Sequence, residues 1–328
     1  MPARRMRNPE EVQAAIRAVK TEVGKVVVGY EEQIDDFIIC LLTEGHLLIE
    51  GVPGVAKTTL AKAFATVCAL SYRRIQFTQD LLPADITGHY FFNQRSAEFE
   101  VRKGPLFADL VLTDEINRAP PKTQSALLEA MQERQVTIEG TSFDLPNPFM
   151  VLATLNPIET EGVYPLPEAQ IDRFMIKSNM DYLDEKRELE ILRLKGGPET
   201  TPSIVLSRDA ILEMSNDVVN MFTHESVLGY IESIARATRN LEELDLGLSP
   251  RGAIHLMQTA KARAYINARN YVIPDDVKAM AHKVIDHRLI VTPEADLGGM
   301  TKASLTDSIL TSVPVPKGQF GSTEARKE

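Results

Sequence analysis

The run Gly51-Val52-Pro53-Gly54-Val55-Ala56-Lys57-Thr58 constrains this chain more than any other, because it sets a glycine-bearing loop between an apolar run and a stretch of helix formers. The apolar run, 46–50, is bounded by Gly45 and Gly51 and reads as a short buried strand, while 58–70 reads as a helix. A strand that turns through glycines straight into a helix aims successive backbone N–H groups, and the positive end of the helix dipole, at one place. Phosphate is the natural ligand of such a place. Lys57 adds a mobile charge for terminal phosphates, and the Thr58 hydroxyl is a ligand for Mg²⁺. Nucleotide contacts are therefore expected from Gly51, Val52, Pro53, Gly54, Val55, Ala56, Lys57, Thr58 and Thr59. The usual pattern has glycine just before the lysine; here it is Ala56, so that position either takes φ < 0 or tolerates a methyl group. Taken alone, the loop also fits a tight strand-to-helix turn with an exposed lysine.

A second element strengthens the phosphate reading. Leu110-Val111-Leu112-Thr113 delivers Asp114 and Glu115 to the carboxyl end of another predicted strand, the edge at which open α/β sheets bind ligands. Adjacent carboxylates there can divide the work, Asp114 holding the Mg²⁺ shell and Glu115 polarising the attacking water. By itself such a pair is often only a solvated loop; in this order, after the glycine loop, that explanation loses its force. A third apolar run, 149–154, leads to Asn156, whose neutral amide can orient water or touch a γ-phosphate, although Asn before Pro157 also suits a plain turn. Arg173, in Ile171-Asp172-Arg173-Phe174, and Arg251, in Ser249-Pro250-Arg251, are cations that in isolation read as surface charges or ion-pair partners.

With 328 residues the chain exceeds what one core usually organises, and two domains are expected. Apolar residues Val12, Ile16, Val19 and Val23 predict an amphipathic helix over 9–25, packed beside the first strand. Segments 90–101 and 135–145, the latter with Glu139-Gly140 as its turn, have hairpin character. Beyond Arg173 the pattern turns helical, at 185–194, 208–222, 227–241, 251–267 and 274–289. The boundaries expected are 1–190 for an α/β domain, 191–310 for a helical one, and 311–328, which holds Pro314, Pro316, Gly318 and Gly321, for a disordered tail. The 36 Lys and Arg against 46 Asp and Glu give a formal charge of −10, which disfavours a phosphate-backbone partner. Cys40 and Cys68 lack metal-ligand spacing and read as buried reduced thiols. The opening stretch is basic but leads into polar residues, unlike a secretory signal, and no apolar run reaches the roughly 20 residues of a membrane span; the expected location is the cytoplasm.

Together these residues resemble the AAA+ ATPases, and within them the MoxR family. The resemblance rests on GVPGVAKT at 51–58, DLLPADITG at 80–88 and DEINRAPPKTQSALLEAMQE at 114–133, followed by ATLNP at 153–157, LPEAQIDRF at 166–174 and LSPRGA at 248–253. It spans roughly residues 10 to 300, and Ala56 is common in this group. It implies an α/β P-loop core with a five-stranded parallel sheet, a C-terminal all-helical lid, and a ring that is usually a hexamer. Lys57 and Thr58 would belong to Walker A, Asp114 and Glu115 to Walker B, and Asn156 to sensor 1. Arg173 would be the arginine finger, acting on a neighbour's nucleotide, and Arg251 sensor 2. Arg118 lies near enough to Glu115 in sequence to compete for a role. The implied activity is Mg-dependent ATP hydrolysis, driving chaperone-like remodelling or maturation of partner proteins, often ones with a von Willebrand factor A domain. A DNA-directed motor is the chief alternative and predicts basic hairpin tips; a nucleotide-gated scaffold with little turnover and a small-molecule kinase rank below it.

Overall fold

The computed structural model describes residues 7–156, 162–197 and 200–321, so Pro157 and the end of the expected tail, 322–328, lie outside the described residues. Two compact units emerge: one comprises 18–174 and 178–211, the other 1–17, 175–177 and 212–328.

The first unit is built on a five-stranded parallel sheet whose spatial order is Tyr72–Gln76, Leu110–Asp114, Met150–Leu155, Leu47–Gly51, Ile176–Met180. Leu110–Asp114 is buried at every position and Met150–Leu155 at all but the last, as expected of strands covered on both faces. Tyr72–Gln76 lies at the sheet edge, with Ile75 buried and Arg73, Arg74 and Gln76 exposed. Leu48, Phe77, Val111, Leu127, Phe149, Val151 and Phe174 meet in one continuous core. The helix beside the first strand is Glu31–Leu42, not the expected 9–25 helix; that one forms as Pro9–Gly24 with Val12, Ile16, Val19 and Val23 buried. Both hairpins form: Gly88–Asn93 with Glu98–Lys103, and Gln135–Ile138 with Thr141–Asp144. The second turns through Glu139 and Gly140, both at positive φ (46° and 87°), the geometry that matches strand twist in a two-residue loop.

The second unit is mainly helical. Glu225–Arg239, Pro250–Ile266, Pro274–Ile285 and Lys302–Ser312 pack on one another, and a short antiparallel pair joins Leu244–Leu246 to Ile290–Val291. Their starts are written in local chemistry: the Ser249 hydroxyl accepts from the Gly252 N–H, Thr301 caps Ser304, and Pro250 and Pro274 occupy first turns. Residues 311 and 312 belong to the last helix, and beyond it Val313 is buried and the Phe320 ring lies edge-on to His224, 6.3 Å between centroids. Cys40 and Cys68 are buried free thiols. Among the described residues no helix is long and apolar enough to cross a membrane.

Candidate functional site

Parallel register brings the predicted residues to one edge of the sheet. Glu50 pairs with Leu155, so Gly51 and Asn156 follow side by side, and Thr113 pairs with Ala153, so Asp114 stands beside Thr154. The glycine loop, the acidic pair and Asn156 therefore leave three adjacent strands in the same direction. Asn156 is buried there.

Gly51 is a necessity of packing, since a β-carbon on it would stand 2.2 Å from the Met180 carbonyl oxygen of the neighbouring strand. Gly54 has φ 89°, with open space where a side chain would be. Ala56 has φ 61° and ψ 22°, so of the two options read from sequence the loop takes the second: a left-handed residue carrying a methyl group, which costs roughly 1 kcal/mol against glycine. Val55 is buried and anchors the loop, Val52, Lys57 and Thr58 are half-buried, and Pro53, Gly54 and Thr59 are exposed. The helix Lys57–Val67 starts immediately after Ala56, its first amides facing the loop. Lys57 Nζ donates to the Gly51 carbonyl at 2.7 Å, folding the ammonium back over the loop. Burial lowers its pKa, against the opposing attraction of Asp114 and Glu115.

Asp114 is buried and both its oxygens are engaged: Thr154 Oγ1 donates to Oδ1 at 3.2 Å and Arg74 Nε to Oδ2 at 2.6 Å. The Thr154 hydroxyl also accepts from the Glu115 N–H at 2.9 Å, so one side chain fixes both acidic residues. Glu115 sits at φ 57°, ψ 52°, turning its carboxylate away from the strand line to accept from Gln76 Nε2 at 2.8 Å and Arg118 Nη1 at 3.1 Å. Arg74, Gln76 and Thr154 carried no signal in the sequence reading, because they lie about 40 residues from the acidic pair and only strand register makes them neighbours. The one available cue is period two in the edge strand, which puts Tyr72, Arg74 and Gln76 on a single face. Arg118, noted from its spacing, does reach Glu115.

Arg173 is not in this cluster, and Arg251 belongs to the other unit. Arg173 follows the short helix Glu168–Ile171 and donates through Nη1 to the Leu128 carbonyl at 2.7 Å, beside a cavity of about 310 Å³ whose lining, including Glu129, Glu133 and Gln170, contains no phosphate-loop residue. Arg251 is exposed in the first turn of Pro250–Ile266, in the other unit.

Comparison with known proteins decides what this edge belongs to. Residues 46–176 match the ATPase family associated with various cellular activities (AAA), and 236–309 match an AAA lid domain. Chaperone MoxR1 of Mycobacterium tuberculosis is 41% identical over 316 residues, covering 94% of this chain and 84% of that protein. The chain belongs to the MoxR family of AAA+ ATPases. YeaC of Bacillus subtilis is 42% identical over 309 residues, 94% of this chain and 97% of its own length. A crystal structure of a provisionally assigned ATPase from Cytophaga hutchinsonii superposes with a TM-score of 0.88 at 43% identity, covering 94% and 97% of the two chains.

For a MoxR-family protein the implied ligands are nucleotide and Mg²⁺, and the residues present fit both. The open cradle at Gly54 leaves room for phosphate at a helix N-terminus. Asp114 and Thr58 are hard oxygen donors, and the guanidinium already on Asp114 marks its carboxylate as a place for positive charge. Among the described residues no cluster of three or more His, Cys, Asp or Glu could hold a metal by itself.

Proposed function

We propose that this chain hydrolyses Mg-ATP and uses the reaction to remodel or mature partner protein complexes. The observation that carries the reading is the convergence of the Lys57 loop, Asp114, Glu115 and Asn156 on one sheet edge through parallel register. In this reading residues 51–59 bind the nucleotide, Lys57 neutralises terminal phosphate oxygens, Thr58 and Asp114 hold the cation shell, Glu115 polarises the lytic water, and Asn156 orients it. Bound Mg²⁺ supplies charge neutralisation on the phosphates. Arg173 serves a neighbouring subunit's site as an arginine finger, Arg251 acts as sensor 2, and the working form is a ring, with six subunits the family expectation. The α/β ATPase core would end near residue 190 and the lid would follow.

Phosphate release from ATP tests the chemistry. Glu115→Gln should reduce turnover by about a hundredfold or more while fluorescent ADP still binds, and Lys57→Ala should weaken binding itself. Turnover that survives Glu115→Gln would remove the assigned base.

The client is proposed to be protein, of the von Willebrand factor A domain class that the family resemblance suggests. The surface of the Gly88–Lys103 hairpin supports a protein over DNA: Phe92 and Phe99 face each other across it, 52% and 71% exposed, and its turn, 94–97, has a single basic residue, Arg95. The other tip is Glu139-Gly140. Affinity purification with Glu115→Gln from the native cell addresses the client; recovery of no A-domain protein contradicts that class, and duplex unwinding would favour the DNA motor.

A further inference from the structure

Asp114, the carboxylate assigned to the cation, is not waiting in water. Its Oδ2 accepts from Arg74 Nε at 2.6 Å while Thr154 holds Oδ1, so both oxygens have donors. Arg74 is itself held in position: its Nη2 donates to Gln76 Oε1 at 3.0 Å, which fixes the plane of the guanidinium. Register explains the arrangement, because Arg74 pairs with Leu112 and reaches diagonally along the neighbouring strand to Asp114, two residues on. The Arg74 side chain is 49% exposed on an edge strand, whereas that of Asp114 is only 10% exposed. The arginine can therefore swing into solvent, and the aspartate cannot follow it.

We propose that Arg74 is the resident counter-ion of Asp114 and competes with the divalent cation for that carboxylate, so that Arg74 sets the cation concentration at which the nucleotide site fills. The assignment rests on the reading of this edge as a nucleotide site. A cation approaching Asp114 must displace a charge-assisted hydrogen bond made in a partly buried setting. The exposed half of the pair is screened, so displacement is easy enough to be reversible. Arg74 thus acts through Asp114 as a positioning residue: it keeps the carboxylate oriented and compensated when no cation is bound. Arg73, one residue earlier, points to the opposite face of the same strand and has no such access.

The test is cation binding, read without turnover: free Mn²⁺ followed by electron paramagnetic resonance at saturating ADP, with ADP binding measured separately in EDTA and folding checked by thermal melting. Arg74→Met, which keeps the length and removes the charge, is expected to lower the half-saturating Mn²⁺ about three- to tenfold. Arg74→Lys should return most of the way to wild type, and Arg73→Met should leave the midpoint where it was. An unchanged or raised midpoint in Arg74→Met overturns the assignment. So does an equal fall in Arg73→Met, which would reduce the effect to overall charge. Failure of ADP to bind the wild type in EDTA and with Mn²⁺ would overturn the nucleotide site and this role together, whereas ADP binding with an unshifted midpoint overturns this role alone.

Discussion

At Ala56 the loop carries a methyl group in left-handed backbone, a conformation that glycine adopts at less cost. Ala56→Gly should leave the melting temperature within a few degrees, since relief of roughly 1 kcal/mol is offset by the greater freedom of glycine in the unfolded chain. Ala56→Val, branched at the strained position, should destabilise by more than about 1 kcal/mol and weaken nucleotide binding with it. Gly51 has less latitude: the Met180 carbonyl stands where a β-carbon would go, so Gly51→Ala should cost about 3 kcal/mol or prevent folding, measured as soluble yield and melting temperature. His46 makes a different prediction. It is fully buried, its Nδ1 accepts from the Val151 N–H at 3.0 Å, and its Nε2–H therefore donates to the Met131 carbonyl, also at 3.0 Å. Burial, aided by Arg134, pushes its pKa down to about 3. The unfolded chain takes up a proton near pH 6.5 that the folded one refuses until about 3, so this stabilisation is complete above pH 6.5 and drains away as pH falls between those values. The fall in melting temperature from pH 7 to 4.5 should be smaller in His46→Asn than in the wild type; equal slopes would mean the imidazole does not titrate this way.

At the scale of elements, the Gly88–Lys103 hairpin packs on the core through Tyr90 and Val101 and leaves Phe92 and Phe99 outside it. Phe92 and Phe99 contact each other edge-on at 5.4 Å and are exposed, so replacing both by Ser should cost about 1 kcal/mol or less of stability while abolishing capture of a protein client. A large loss of stability would place the pair in the fold instead. The sequence made the strands 47–51, 110–114 and 150–155 legible because each is a short apolar run ending in polar chemistry, and it exposed both hairpins through their turn residues. It hid the helix Glu31–Leu42, where Phe37 to Leu42 are buried on consecutive positions and periodicity vanishes. It also hid Pro293–Leu297 and Lys302–Ser312, the first too short and the second too weakly amphipathic for pattern to mark. Residues whose chemistry is local, Lys57, Thr58, Asp114 and Glu115, could be named from spacing. Those whose chemistry depends on register, Arg74, Gln76 and Thr154, could not, because a pairing between strands leaves no imprint on the spacing within either one.

At the scale of the whole molecule, the central claim is that the site made by one chain is incomplete. Within the subunit the cluster gathers phosphate loop, acidic pair and Asn156, while Arg173 is bonded to the Leu128 carbonyl beside Glu129 and Glu133. An arginine supplied across a subunit boundary would make hydrolysis a property of the assembly, and its contribution to phosphoryl transfer is of the order of a thousandfold or more. The most direct measurement is the ATPase rate per subunit as a function of protein concentration, for the wild type and for Arg173→Ala, with nucleotide binding followed in parallel. The account predicts a rate that rises as subunits assemble and collapses in Arg173→Ala although nucleotide still binds. A rate that is independent of concentration and survives the substitution would contradict it, leaving each subunit to hydrolyse ATP alone.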